Sequence, residues 1–126
     1  DKQSLEVVTA VLAGLVNKEL VAAIEALGGK AIGMCGIDGG LTEAEIKRPE
    51  LGLAGEVTNV NVNLLRTLLE AGYIPIIAPI SLGAANEIGK GIKSVNVNAD
   101  NVASEIAVAL KAQKLIFLEF MTVWVR

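Results

Sequence analysis

Histidine is absent from the 126 residues, cysteine occurs once, and aromatic side chains make up only 3% of the chain. Without histidine and with Cys35 alone, the usual zinc sites and the Ser-His and Cys-His nucleophile arrangements are excluded. A single cysteine also rules out an internal disulfide and suits a reducing compartment. Basic residues are scattered and outnumbered, 11 against 14 acidic, for a net charge of −3 and a pI near 5.0. No nucleic-acid partner is therefore expected. Apolar stretches such as "YIPIIAPI" are too short to span a bilayer, and no charged, apolar leader opens the sequence given, so no membrane partner or secretory signal is expected.

The chain is 52% hydrophobic. With so few aromatics, the core must be built from Val, Ile, Leu and Ala, and the length suits one layered domain. "SLEVVTAVLAGLVNKELVAAIEALGG" carries apolar residues at helical spacing from Leu5 to Leu27. Gly14 is a candidate kink, and Gly28-Gly29 a stop. "KAIGMCG" reads as a short buried strand, and "IDGGLTEAEIKRPELG" as a loop or irregular hairpin. "LAGEVTNV" reads as a strand and "NVNLLRTLLEAG" as a helix closed by Gly72. "YIPIIAPISLG" reads as one strand covered on both faces. After the Gly-rich turn "AANEIGKGIK" come the strand "SVNVN", the helix "ADNVASEIAVALKAQ" and a final buried strand, "KLIFLEF". Strands alternating with helices point to an α/β sheet with helices on both faces.

In such sheets, ligands collect beyond the carboxyl ends of the strands. "VNVNAD" is a strand-to-helix corner of that kind. Asn96 and Asn98 fall on one side of an extended segment, two residues apart. Their amides suit a carboxylate ligand, and Asp100 suits the ammonium groups of lysines. The plainer reading makes Asn98 a helix cap and Asp100 a favourable charge in the first turn. Spacing alone does not require more than that. The second "NVNVN", at 59–63, is followed by Leu64 and Leu65, so capping suffices there.

Other motifs carry less. Gly89 and Gly91 in "IGKGIK" lack phosphate-loop spacing and read as a turn, with Lys90 and Lys93 solvated. Asp38 is a turn residue, Cys35 inert core, and Glu43, Glu45, Lys47 and Arg48 a charged loop without ligand spacing.

Five blocks in order, "VNKEL", "GGKAIGMCGIDGG", "LGLAGEV", "EAGYIPIIAP" and "NVNADNVA", resemble the amino acid kinase family, and within it the N-acetylglutamate kinases. The likeness runs from Asp1 to about Leu118 and leaves 119–126 as a divergent tail of one partial domain. It implies a three-layer α/β/α sandwich around a mainly parallel sheet. It also implies transfer of the γ-phosphoryl group of ATP, accompanied by Mg²⁺, to the side-chain carboxylate of N-acetyl-L-glutamate, the second step of arginine biosynthesis. By the resemblance, Asn96 contacts acetylglutamate and Asp100 organises the catalytic lysines, and Asn98 is then expected to cap the helix and support substrate binding. A cytoplasmic enzyme is implied (a plastid one if the source is a photosynthetic eukaryote), oligomeric in its full-length form.

The chain also departs from that pattern. It is shorter than a family member by more than half. The family's substrate arginine would precede Asp1, and its phosphate-contacting lysines and glycine loops are not found. Glu119 and Phe120 replace a Thr-Asp pair, and Leu15 and Ile37 stand where basic residues are common. The isolated chain is accordingly expected to lack turnover. The alternative is a non-catalytic truncated paralogue or mis-predicted gene product that at most pairs with full-length subunits. An unrelated α/β ligand-binding module survives only if all five blocks are coincidence.

Overall fold

The structure is a computed structural model that describes residues 2–47 and 54–119. Its first element is one continuous helix in three parts: α1 (Lys2–Thr9), a π-helical stretch (Ala10–Val16) and α2 (Asn17–Ala26). Gly14 lies inside the π-helical stretch, so the expected irregularity is a widened turn within an unbroken helix. Gly28 closes the helix in the left-handed region, φ 90°.

The strands divide between two sheets. β1 (Ala31–Cys35) pairs in parallel with β4 (Ile74–Ala78). β2 (Thr42–Glu45), β3 (Ala54–Val60), β6 (Ser94–Val97) and β5 (Ile80–Gly83) close into a four-stranded ring in that order. In the ring, β2–β5 and β3–β6 are parallel, and β2–β3 and β5–β6 antiparallel. The irregular hairpin is real: β2 and β3 pair with a bulge between Glu43 and Ala44. Glu43 and Glu45 thus sit in a strand rather than a charged loop. Arg48, like residues 120–126 of the tail, lies outside the described residues.

The apolar run 73–83 is two strands instead of one. Proline lacks the N–H that a ladder needs, and the break falls at Pro79. Nor is β4 covered throughout, since Ile74 at its start is exposed. The Gly-rich turn contains a short helix, α4 (Ala85–Gly89), before Gly91 turns the chain at φ 85°. The expected last strand does not form: residues 112–119 have no regular structure, and Ile116 and Leu118 are 73% and 95% exposed. A strand requires a neighbour to satisfy its backbone, and none among the described residues pairs with this segment.

Among the described residues, three apolar clusters hold these pieces. Val8, Leu12 and Ala13 of the first helix pack on Cys35, Ala78 and Ile80. On the alternate side chains of β1 and β4, Met34 and Ile77 meet Leu65 of α3 (Val62–Glu70) and Ile106 of α5 (Ala99–Leu110). The ring encloses Ala44, Val57, Val95 and Val97, closed by Val102 of α5. By length and composition alone the helix Lys2–Ala26 would pass as a membrane span, contrary to the expectation from single apolar runs. It qualifies because the helix continues through "VVTAVLAGLV", and it is the same helix that seals the Cys35–Ile80 cluster.

Candidate functional site

β6 alternates, with Val95 and Val97 buried in the ring core and Ser94 and Asn96 half-buried on the other side. Asn96 sits between two strands, opposite Ile80 of β5 and Ala54 of β3. The Val97 N–H donates to Pro79 O at 3.1 Å, which ties the corner to the joint between the two sheets.

Asn98 is the N-cap of α5: its Oδ1 accepts from the Asp100 N–H at 2.8 Å. This fits the plainer reading of Asn98, while its Nδ2 remains on the outside as a donor. Asp100 lies exposed in the first turn of the helix. Its main-chain oxygen accepts from Ser104 Oγ at 2.7 Å, and its carboxylate has no ion pair among the described residues. The structure therefore places Asn96, Asn98 and Asp100 at one strand-to-helix corner, and among the described residues no lysine reaches the carboxylate there.

The second asparagine motif is a cap. Asn61 Oδ1 accepts from the Leu64 N–H at 3.2 Å, and its Nδ2 donates to Gly39 O at 3.0 Å. Asp38 serves its turn by accepting from the Cys35 N–H at 2.8 Å. Cys35 is buried, and that burial pushes its thiol above the ordinary value of 9.0, with the nearby Asp38 charge adding to the effect. An inert thiol is the result. Lys90 is largely exposed, as expected of the turn, and lies 3.9 Å from Glu87.

Several polar residues that hold this region are not evident from spacing. Asn101 Oδ1 accepts from the Val57 N–H at 3.0 Å, which fastens α5 to β3 beside the corner. Asn17 in the first helix reaches carbonyls of both β1 and β4. Glu87 is 2% exposed inside the connection between β5 and β6. For Asn17 the spacing gave no signal, because regular α periodicity puts Val16, not Asn17, on the face of Val8 and Leu12. For Glu87 and Asn101 there was none either.

Among the described residues, no group of three or more His, Cys, Asp or Glu side chains stands together to hold a metal ion. A cavity of about 860 Å³ opens between the start of the first helix (Lys2, Leu5, Glu6) and Ile92, Lys93 and Ser94 at the entry to β6.

The sequence profile of the Amino acid kinase family matches residues 1–119. The chain belongs to the amino acid kinase family. It is 50% identical over 119 residues to the acetylglutamate kinase of Campylobacter hominis and 47% identical over 131 to that of Heliobacterium modesticaldum. Each alignment covers 94% of this chain, but only 40% and 42% of the respective relative. The crystal structure of smu.665 from Streptococcus mutans UA159 superposes with a TM-score of 0.81 at 29% identity, over 94% of this chain and 46% of that one. The chain thus spans less than half the length of these relatives. Its described folding pattern is that of a mixed α/β member of the family.

Proposed function

We propose that this chain is the central part of an acetylglutamate kinase, which transfers the γ-phosphoryl group of ATP to the side-chain carboxylate of N-acetyl-L-glutamate in the cytoplasm, for arginine biosynthesis. The observation that carries the reading is 50% identity to an acetylglutamate kinase across 94% of the chain. The corner Asn96–Asp100 follows the carboxyl end of β6, and the Val97–Pro79 hydrogen bond brings it beside the end of the parallel pair β1–β4, which supports a ligand site there. Helices packed on opposite faces of β1 and β4 support the family's three-layer sandwich.

Phosphoryl transfer asks little covalent chemistry of a protein; it asks for in-line placement and neutralised charge. Asn96 and the free Nδ2 of Asn98 serve as donors that orient the acceptor carboxylate. Asp100, fixed by the cap in the first turn of α5, is held ready to aim ammonium groups at the moving oxygens. No described lysine fills that role, so the isolated chain is expected to be inactive. ATP, accompanied by Mg²⁺, is the co-substrate, and a homo-oligomer is expected of the whole enzyme.

The test is a graft. Residues 1–118 replace the matching segment of the Campylobacter hominis enzyme, and ADP release is followed with and without N-acetylglutamate. Acetylglutamate-dependent turnover of ~1–10³ s⁻¹ supports the reading, and a folded, silent chimera refutes it. Turnover in that range by the isolated chain would refute the expected inactivity. A non-catalytic chain that pairs with full-length subunits is the second reading, favoured by the exposed Ile116 and Leu118.

A further inference from the structure

The first helix meets the sheets through Val8, Leu12 and Ala13, and then through Asn17. Regular α spacing, at 3.6 residues per turn, would carry the face of Val8 and Leu12 on to Val16. Instead Val16 is 46% exposed and Asn17 only 4%. The π-helical stretch makes the difference: the Asn17 N–H, shared with Gly14 O, donates to Leu12 O, five residues back. Such a turn takes up about one residue more than an α-turn and advances every later side chain by one position. Packing does not demand Gly14 within it, since a Cβ there would meet nothing within 4 Å.

The shift delivers an amide to the sheet in place of a valine. Asn17 Nδ2 lies 2.9 Å from Ile76 O and 3.4 Å from Met34 O, so one side chain spans β4 and β1. Lys18 Nζ donates to Asn17 Oδ1 at 2.9 Å and so fixes which way the amide points. Gly33 leaves the space, because a Cβ there would collide with Asn17 Oδ1. Just past the clamped residues, the Gly36 N–H donates to Ile80 O at 2.6 Å, and Pro79 O accepts from Val97, which stands between Asn96 and Asn98.

We propose that the π-helical stretch is a register shifter that brings Asn17 onto the Met34 and Ile76 carbonyls, and that this clamp sets the position of the Asn96–Asp100 corner through Pro79 and Val97. Asn17 is then a positioning residue. That the corner matters rests on the kinase reading; the clamp and its test involve no substrate, so either can fail alone.

Amide hydrogen exchange, followed by NMR on the full 126-residue chain, tests it. The reporter is the Val97 amide, and the control is the Gly83 amide, bonded to Lys93 O at the other end of the β5–β6 pair. In Asn17→Leu, exchange at Val97 is expected to rise roughly tenfold, with Gly83 changing less than about twofold. Equal rises would reduce Asn17 to general stability, and an unmoved Val97 would show the clamp idle; either overturns the proposal. If Asn17→Leu fails to fold, Asn17→Ser, too short to reach both strands, is read by the same two amides. Deleting Gly14 tests the register: the helix should become regular α with the Asn17 side-chain amide protons still slow to exchange. Fast exchange of those protons would overturn the register shift.

Discussion

Thr42 Oγ1 and Ser81 Oγ lie 2.6 Å apart, fully buried, and join β2 to β5 where the ring meets the end of β1. Each hydroxyl is the other's partner, so removing one strands its mate in a dry site. Thr42→Val or Ser81→Ala alone is expected to cost ~1–3 kcal/mol in urea unfolding. The double variant should cost clearly less than the sum of the two singles.

Gly36 sits against this pair. A Cβ there would run into Thr42 Oγ1 and would lie 2.7 Å from the Ile80 carbonyl oxygen. A side chain can give way, but the backbone of β5 cannot without breaking the ring. Gly36→Ala is expected to destabilise by ~1–3 kcal/mol or to abolish folding, as read by thermal unfolding and soluble yield.

Asn98 and Asp100 separate in their effects. Asn98→Ala removes the cap of α5 and should cost ~1 kcal/mol in urea unfolding of the isolated chain. Asp100→Asn keeps the shape of an exposed side chain and should cost less than about 1 kcal/mol in unfolding, the worth of a charge in a first helical turn. In the active chimera the same change should lower kcat by ~10²–10³, because a preorganised charge at the transferring group is lost.

Cys35 makes stability depend on alkaline pH. Burial raises its pKa on folding, so above the unfolded thiol's pKa the unfolded chain has released a proton that the folded chain keeps. Its effect is absent below that pKa, and stability falls as pH climbs from there through the folded value. The urea midpoint of wild type minus that of Cys35→Ala should therefore shrink between pH 8 and pH 10. A constant difference would mean that the thiol ionises equally in both states.

Ile116 and Leu118 stand in water without strand partners among the described residues. Replacing both by lysine should suppress aggregation in light scattering and leave the unfolding midpoint within about 0.5 kcal/mol, as for surface sites.

Much of this architecture was legible in the sequence. The helix faces of Leu64, Leu65 and Leu68, and of Val102, Ile106 and Leu110, follow their spacing, and Asn61 and Asn98 cap as their chemistry suggests. What was not legible depends on pairing. "KLIFLEF" has a strand's composition, but its described residues 114–119 form no ladder, and the run around Pro79 is apolar on both sides of a residue that cannot donate. The candidate corner was visible as residue types at a spacing. Asn17 and Asn101 gain their roles only once distant strands are brought beside them.

Pro79 has one last consequence, for which lengths of chain can drift. Its ring ends one strand, and its carbonyl holds Val97 before the next strand begins a single residue later. An insertion between Ala78 and Ile80 would shear both sheets and the corner at once. By contrast, extra residues near Lys90, at an exposed tip, would merely lengthen a loop. Among relatives, size variation should gather at that tip and spare the proline hinge.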